Sequence, residues 1–202
     1  IAICLHEVLP PKYPEAINII KAVAKDIDFY GFEYMIFPDF IELYGMKHWN
    51  ESIKALESVT TLASGEFAVR PFILEDPDRM MKVMLKWAKS KNHHVRRLAS
   101  EGCRPRLPWA QALPIFKQDP RIVIEVLELL REDNELYVRR SVANNLNDIS
   151  KDNPDMVLKL LKKWSKIKTA EMKWQIKHSL RTLEKLGEPR ALALLGYSYD
   201  VD

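Results

Sequence analysis

The stretch Val95-Arg96-Arg97-Leu98-Ala99-Ser100-Glu101 is answered 43 residues later by Val138-Arg139-Arg140-Ser141-Val142-Ala143-Asn144. Each copy opens a helix with paired arginines beside small residues. Recurrence at this distance is the mark of stacked helix pairs of the HEAT type, whose period is roughly 40–47 residues. Glu66 precedes Glu101 by 35 residues, and both follow a small residue near the end of a helical stretch, so the repeat extends backwards. Asp148 lies four residues beyond Asn144, the position that aligns with Glu101, and therefore on the same helix face one turn further along. Three isolated acids, Glu66, Glu101 and Asp148, are expected to converge from successive inner elements.

The 3.6-residue period of an amphipathic helix runs through nearly the whole chain. Met80, Val83, Met84, Trp87 and Ala88 make one stripe, and Ile122, Val126, Leu127 and Leu130 a second. Val157, Leu160, Leu161 and Trp164 make a third, with Val138, Val142, Leu146 and Ile149 lining the helix between the last two. Pro14, Pro77, Pro120, Pro154 and Pro189 punctuate the stripes, and Asp119-Pro120 and Asn153-Pro154 match a helix cap followed by proline at the first helical position. No alternating apolar run argues for a sheet. The expected pairs are 14–27 with 32–45, 50–63 with its continuation, 78–90 with 94–102, 120–132 with 135–150, and 154–167 with 172–186. The fold class read from this is all-α: a right-handed α-solenoid of about five HEAT-like antiparallel helix pairs, with a concave groove open to an extended ligand.

Length and composition set the frame. The 202 residues, 47% hydrophobic and 29% charged, suit one domain (1–202) with a sizeable core. The chain opens at Ile1 in what reads as mid-helix, so an amino-terminal segment is expected before it. No apolar run nears the roughly 18 residues of a membrane span. Cys4 and Cys103 are too few for a disulfide framework or a zinc site, which fits a reduced, cytoplasmic protein. The five histidines show no metal-ligand spacing and no Gly-rich phosphate loop exists, so neither metal nor cofactor is expected.

Charge is unevenly spread. Net charge is only +3, yet residues 79–117 hold ten Lys/Arg with Glu101 the one acid, and residues 156–181 hold eight with Glu171 the one acid. Residues 1–59 instead hold five Lys/Arg against nine Asp/Glu. Basic blocks in a near-neutral chain are the footprint of a phosphate-tracking surface, with a solvated helix face as the plainer account of the lysines.

Three motifs carry chemistry. In Ser64-Gly65-Glu66-Phe67-Ala68-Val69-Arg70-Pro71-Phe72, the simplest reading pairs Glu66 with Arg70 in an i,i+4 ion pair that closes a helix before Pro71. In Glu101-Gly102-Cys103-Arg104-Pro105-Arg106-Leu107-Pro108-Trp109, two prolines forbid a regular helix. Such a rigid basic loop can contact phosphates and stack its indole on a sugar or base, unless Trp109 merely plugs the core. Trp164 and Trp174 sit in periodic helices and are assigned to packing, and Cys103 to the core. In Asn144-Asn145-Leu146-Asn147-Asp148, poor helix formers are retained either for hydrogen bonds between repeats or to face a ligand.

The phrases SGEFAVRPF, HVRRLASEGCRPRLPW and VRRSVANNLNDISKDNPD resemble the signature blocks of the AlkC branch of the HEAT-like-repeat DNA alkylation repair proteins. The likeness covers about residues 5–190. It implies a bacterial DNA glycosylase that excises N-alkylated bases of the 3-methyladenine and 3-methylcytosine type from double-stranded DNA, acting as a monomer. By the resemblance, Glu66, Glu101 and Asp148 match the acids at the lesion-facing centre, and Trp109 and Arg104 the loop that approaches the damaged nucleotide. Gly65 and Cys103 stand where hydroxyl residues are more usual, and Asn145 where a histidine is common. Arg96, Arg97, Arg104, Arg106, Arg139, Arg140 and Lys151 are the candidate phosphate contacts, joined in DNA binding by Trp109 and Asn144. The competing reading is a HEAT-repeat module that binds DNA or protein without catalysis.

Overall fold

The computed structural model describes residues 1–27 and 31–197, which are all-α, without a strand. The chain divides into two compact units, Ile1–Gly102 and Cys103–Asp202. The first holds α1 (Ala2–Val8), α2 (Tyr13–Asp26), α3 (Ile36–Tyr44), α4 (Trp49–Val59), α5 (Arg70–Glu75), α6 (Pro77–Trp87) and α7 (His93–Gly102). The second holds α8 (Pro114–Gln118), α9 (Arg121–Leu130), α10 (Leu136–Ile149), α11 (Pro154–Trp164), α12 (Ala170–Lys185) and α13 (Pro189–Leu195).

HEAT-like helix pairs organise both units. In the first, α1 packs on α3, α2 on α4 and α6 on α7. Met80, Met84, Trp87 and Ala88 of the α6 stripe are buried, and Met81 joins them. In the second, α10 packs against α9, α11 and, most extensively, α12, with Val138, Val142, Leu146 and Ile149 fully buried. Val157, Leu160, Leu161 and Trp164 form the core face of α11. At α9 the stripe turns by one residue, so Val123 is buried while Ile122 is half-buried.

Proline positions explain where helices begin. Asp76 caps α6 by accepting from the Arg79 amide at 3.0 Å, with Pro77 at the first helical position, where its missing N–H costs nothing. Pro154 opens α11 likewise, although the Asn153 side chain donates through Nδ2 to the Lys117 carbonyl at 2.7 Å instead of capping. Pro120 departs from expectation: it is itself the cap residue, and Asp119 accepts from the Arg121 amide. Pro71 also corrects the sequence reading, because it opens α5 and closes nothing. The short helices α1, α5, α8 and α13, of five to seven residues, fall below the length at which a 3.6-residue period can be read.

Candidate active site

In the first unit, Arg97 on α7 holds two acids. Its Nη1 lies 2.8 Å from Glu66 Oε2 and its Nη2 3.3 Å from Glu101 Oε1. The same guanidinium donates to Ser64 Oγ. Glu66 stands in the turn region between α4 and α5, while Glu101 is one turn beyond Arg97 on α7. The three side chains are 13%, 15% and 6% exposed in the order Arg97, Glu66, Glu101. Two carboxylates in so little water would repel each other and lose hydration; a forked cation between them is what makes the pairing tolerable.

The backbone around them is tightly fitted. Arg70, buried, donates to the Gly102 carbonyl at 3.1 Å, satisfying an orphan acceptor at the end of α7. A Cβ on Gly102 would lie 2.6 Å from Val69 Cγ2, so only glycine lets α7 end against the start of α5. Glu66 pairs with Arg97 and not with Arg70, contrary to the i,i+4 reading. The partner 31 residues away wins because the i,i+4 rule presumes one continuous helix, and none runs from 66 to 70.

The second unit has its own clamped acid. Asp148 on α10 accepts from Arg104 Nε at 2.8 Å, and Lys151 Nζ approaches its other oxygen at 3.5 Å. Asp148 and Arg104 are both buried, their side chains 4% and 8% exposed. Arg181 of α12 lies within electrostatic reach of both; burial pushes its pKa down, and Asp148 partly restores it. Asn145 donates to the Cys103 sulfur at 3.5 Å, and Cys103 is fully buried as expected.

Trp109, in the same proline-stiffened loop, is 99% exposed and adopts a positive φ of 63°. It plugs no core. A non-glycine residue held in the left-handed region with its indole in solvent is an expensive arrangement unless the ring has something to meet. Arg106, beside it, forks onto Asp152 at 2.6 and 3.0 Å.

The paired arginines divide the work. The first of each pair folds back on the turn before its own helix. Arg96 Nη1 donates to the Ser90 and Lys91 carbonyls, both at 3.0 Å, and Arg139 Nη1 to those of Asp133 and Asn134, at 2.6 and 2.8 Å. The offsets are identical in the two copies, so these side chains lock the turn within each helix pair. The second arginines diverge. Arg97 clamps acids, whereas Arg140 is exposed and, among the described residues, pairs with no carboxylate. Asn144 Oδ1 accepts from His178 Nε2 at 2.9 Å, and Asn147 Oδ1 from the Thr182 amide at 3.1 Å, so these two asparagines of α10 bond to α12.

Three side chains at these sites escaped the sequence reading: Ser64, His178 and Arg181. The repeat held a signal for one of them, since His178 follows Asn144 by 34 residues, close to the Glu66–Glu101 interval. Trp174, expected to pack, is instead 37% exposed and stacks on His178, ring centroids 5.0 Å apart.

Residues 37–183 match the family model described as DNA alkylation repair enzyme. The chain is 50% identical over 197 residues to the uncharacterized protein YhaZ of Bacillus subtilis (strain 168), covering 98% of this chain and 54% of that protein. Among solved structures it is similar to the Pseudomonas fluorescens alkylpurine DNA glycosylase AlkC bound to DNA containing an abasic site analog, with a TM-score of 0.91 and 42% identity over 96% of this chain and 54% of that one. AlkD2 from Streptococcus mutans is more distant, with a TM-score of 0.62 and 27% identity over 89% and 86% of the two chains. The chain thus spans about half the length of YhaZ and AlkC. With its family blocks in place and its acids gathered on arginines, it belongs to the DNA alkylation repair enzyme family, on the AlkC-like branch.

Proposed function

We propose that this chain is the glycosylase core of an enzyme that excises cationic N-alkylated bases, of the 3-methyladenine and 3-methylcytosine type, from duplex DNA. The observation that carries the reading is the pair of arginine-clamped acid sites, Arg97 with Glu66 and Glu101 and Arg104 with Asp148, in a chain 42% identical to a DNA-bound alkylpurine glycosylase. Alkylation places a positive charge on the base. When the C1′–N bond breaks, its electron pair goes to the base nitrogen, which leaves neutral, and the sugar becomes oxocarbenium-like. A carboxylate fixed near C1′ stabilises that cation. A second accepts a proton from water as its oxygen bonds to C1′, giving an abasic sugar and a free base.

Such a reaction asks the protein for preorganised negative charge and little else. Arg97 and Arg104 act here as positioning residues: they fix the carboxylates before substrate arrives. Trp109, with its ring free in solvent, is the candidate to stack on the damaged nucleotide. Arg106, Arg140 and Lys151 remain candidate phosphate contacts, whereas the turn-locking bonds of Arg96 and Arg139 favour a structural part for those two.

The test is single-turnover release of 3-methyladenine and 3-methylcytosine from methylated duplex by Glu66→Gln, Glu101→Gln and Asp148→Asn, with thermal melting alongside. Removing one preorganised group is expected to cost about 10²–10³ in rate without unfolding the chain. Near-normal release by all three would leave a DNA-binding module without catalysis.

A further inference from the structure

The α10–α12 face beside Asp148 carries a cluster that the acid chemistry does not use. Trp174 and His178 lie one turn apart on α12, and their rings stack nearly parallel, 10° between planes. Asn144 on α10 holds the imidazole through Nε2, fixing its plane. Two guanidinium groups act on the imidazole. Arg140 projects from α10 close enough to act electrostatically on His178. Arg181 spends one N–H on the His178 carbonyl at 2.6 Å and, among the described residues, pairs with no carboxylate.

This is an unbalanced arrangement. In the first arginine pair, the residue corresponding to Arg140 finds acids; in the second, asparagine stands where Glu101 stood, so Arg140 meets no carboxylate among the described residues. Asp148, whose field reaches Arg181, is already taken by Arg104 and Lys151. Burial, with Arg181 and Arg140 adding to it, holds the His178 imidazole below its ordinary pKa, as expected for a ring ringed by cations. An anion between the two arginines would relieve that repulsion, and a planar group laid on the exposed indole would cover the apolar face.

We infer that this face is a DNA subsite in which Arg140 and Arg181 take a backbone phosphate and the Trp174–His178 stack takes the sugar or base edge next to it. The subsite rests on the DNA-binding part of the function proposed above and adds a contact one helix beyond Asp148. It assigns roles to Trp174, His178 and Arg181. Because the stack is braced by Asn144 and Arg181 is anchored to its own helix, the subsite is preorganised, and binding freezes few rotamers.

The experiment is fluorescence anisotropy of the protein with a labelled, undamaged duplex across a salt series. Arg140→Gln is expected to lower the slope of log affinity against log salt by about one unit, as the loss of one phosphate contact requires. Trp174→Ala should weaken binding about tenfold with the slope unchanged, and Trp174→Phe should recover most of that loss. A merely structural indole would instead lower the melting temperature, with affinity following the folded fraction. An unchanged slope for Arg140→Gln together with unchanged affinity for Trp174→Ala overturns the subsite while the wild-type chain still binds and excises. A wild-type chain that neither binds duplex nor releases alkylated bases overturns the functional reading, and the subsite with it.

Discussion

Arg97→Gln tests the physical core of the site. The substitution removes the cation that bridges Glu66 and Glu101 and leaves their carboxylates, 15% and 6% exposed, facing a neutral amide in its place. Breaking a buried ion pair by deleting one partner costs about 3–5 kcal/mol, because the survivor keeps its desolvation without its partner. Here two survivors also repel each other, so the upper half of that range applies at neutral pH. At about 2–4 °C per kcal/mol for a chain of this size, the melting temperature should fall by roughly 10 °C or more.

Three further measurements separate this account from a generic loss of packing. Adding Glu101→Gln to Arg97→Gln should recover at least about 1 kcal/mol, since one of the stranded charges disappears; contacting residues couple by such amounts. Adding Glu66→Gln to Arg97→Gln in place of Glu101→Gln should likewise recover stability, because it removes the other carboxylate of the pair. Arg97→Lys should fall between wild type and glutamine, keeping the charge but losing the fork that reaches both acids. Urea unfolding followed by circular dichroism reads all three. If Arg97→Gln melts within a degree or so of wild type and the second substitution restores nothing, the acids are not held by this arginine and the preorganisation argument fails.

The repeat phrase was legible because it encodes local geometry twice. Paired arginines at one offset from each turn place the first on the turn carbonyls in both copies, and the stripes that follow are buried nearly as written. What the sequence hid were the choices made at long range. The partner of Glu66 is set by how the turn before α5 meets α7, which no i,i+4 rule addresses. Trp174 looked like core because its helix has an apolar stripe, yet Met172, Ile176, Leu180 and Leu183 fill that stripe and leave the indole at its margin. Asn144 and Asn147 of α10 could equally have faced a ligand; their bonds to His178 and Thr182 show that α12 claims them. Trp109 could have been core or surface on composition alone, and the positive φ that turns it outward is a property of the loop.

Four further outcomes are expected. Trp109→Ala should leave the melting temperature unchanged to within about a degree, since a 99% exposed ring contributes no burial, and should still depress base release. Gln175, fully buried with neither amide atom hydrogen-bonded, should yield a more stable protein as Gln175→Met, by about 1–2 kcal/mol in urea unfolding. His94 and His178 are both held below the ordinary 6.5, first by burial and then by neighbouring cationic groups, so the unfolded chain takes up protons before the folded one does. Their contribution is therefore complete above pH 6.5, declines as pH falls through it, and levels off below the folded-state values; His178→Gln should flatten that part of the wild-type curve. Arg139→Ala decides between two roles for the first arginine of each pair. It deletes bonds of 2.6 and 2.8 Å to the Asp133 and Asn134 carbonyls, and hydrogen bonds from a charged donor are each worth about 1.5–3 kcal/mol at best. One guanidinium nitrogen serves both, so a loss of roughly 2 kcal/mol is expected, with the salt slope of DNA binding unchanged. A slope lower by about one unit at undiminished stability would make Arg139 a phosphate ligand, and its twin geometry would make Arg96 one as well.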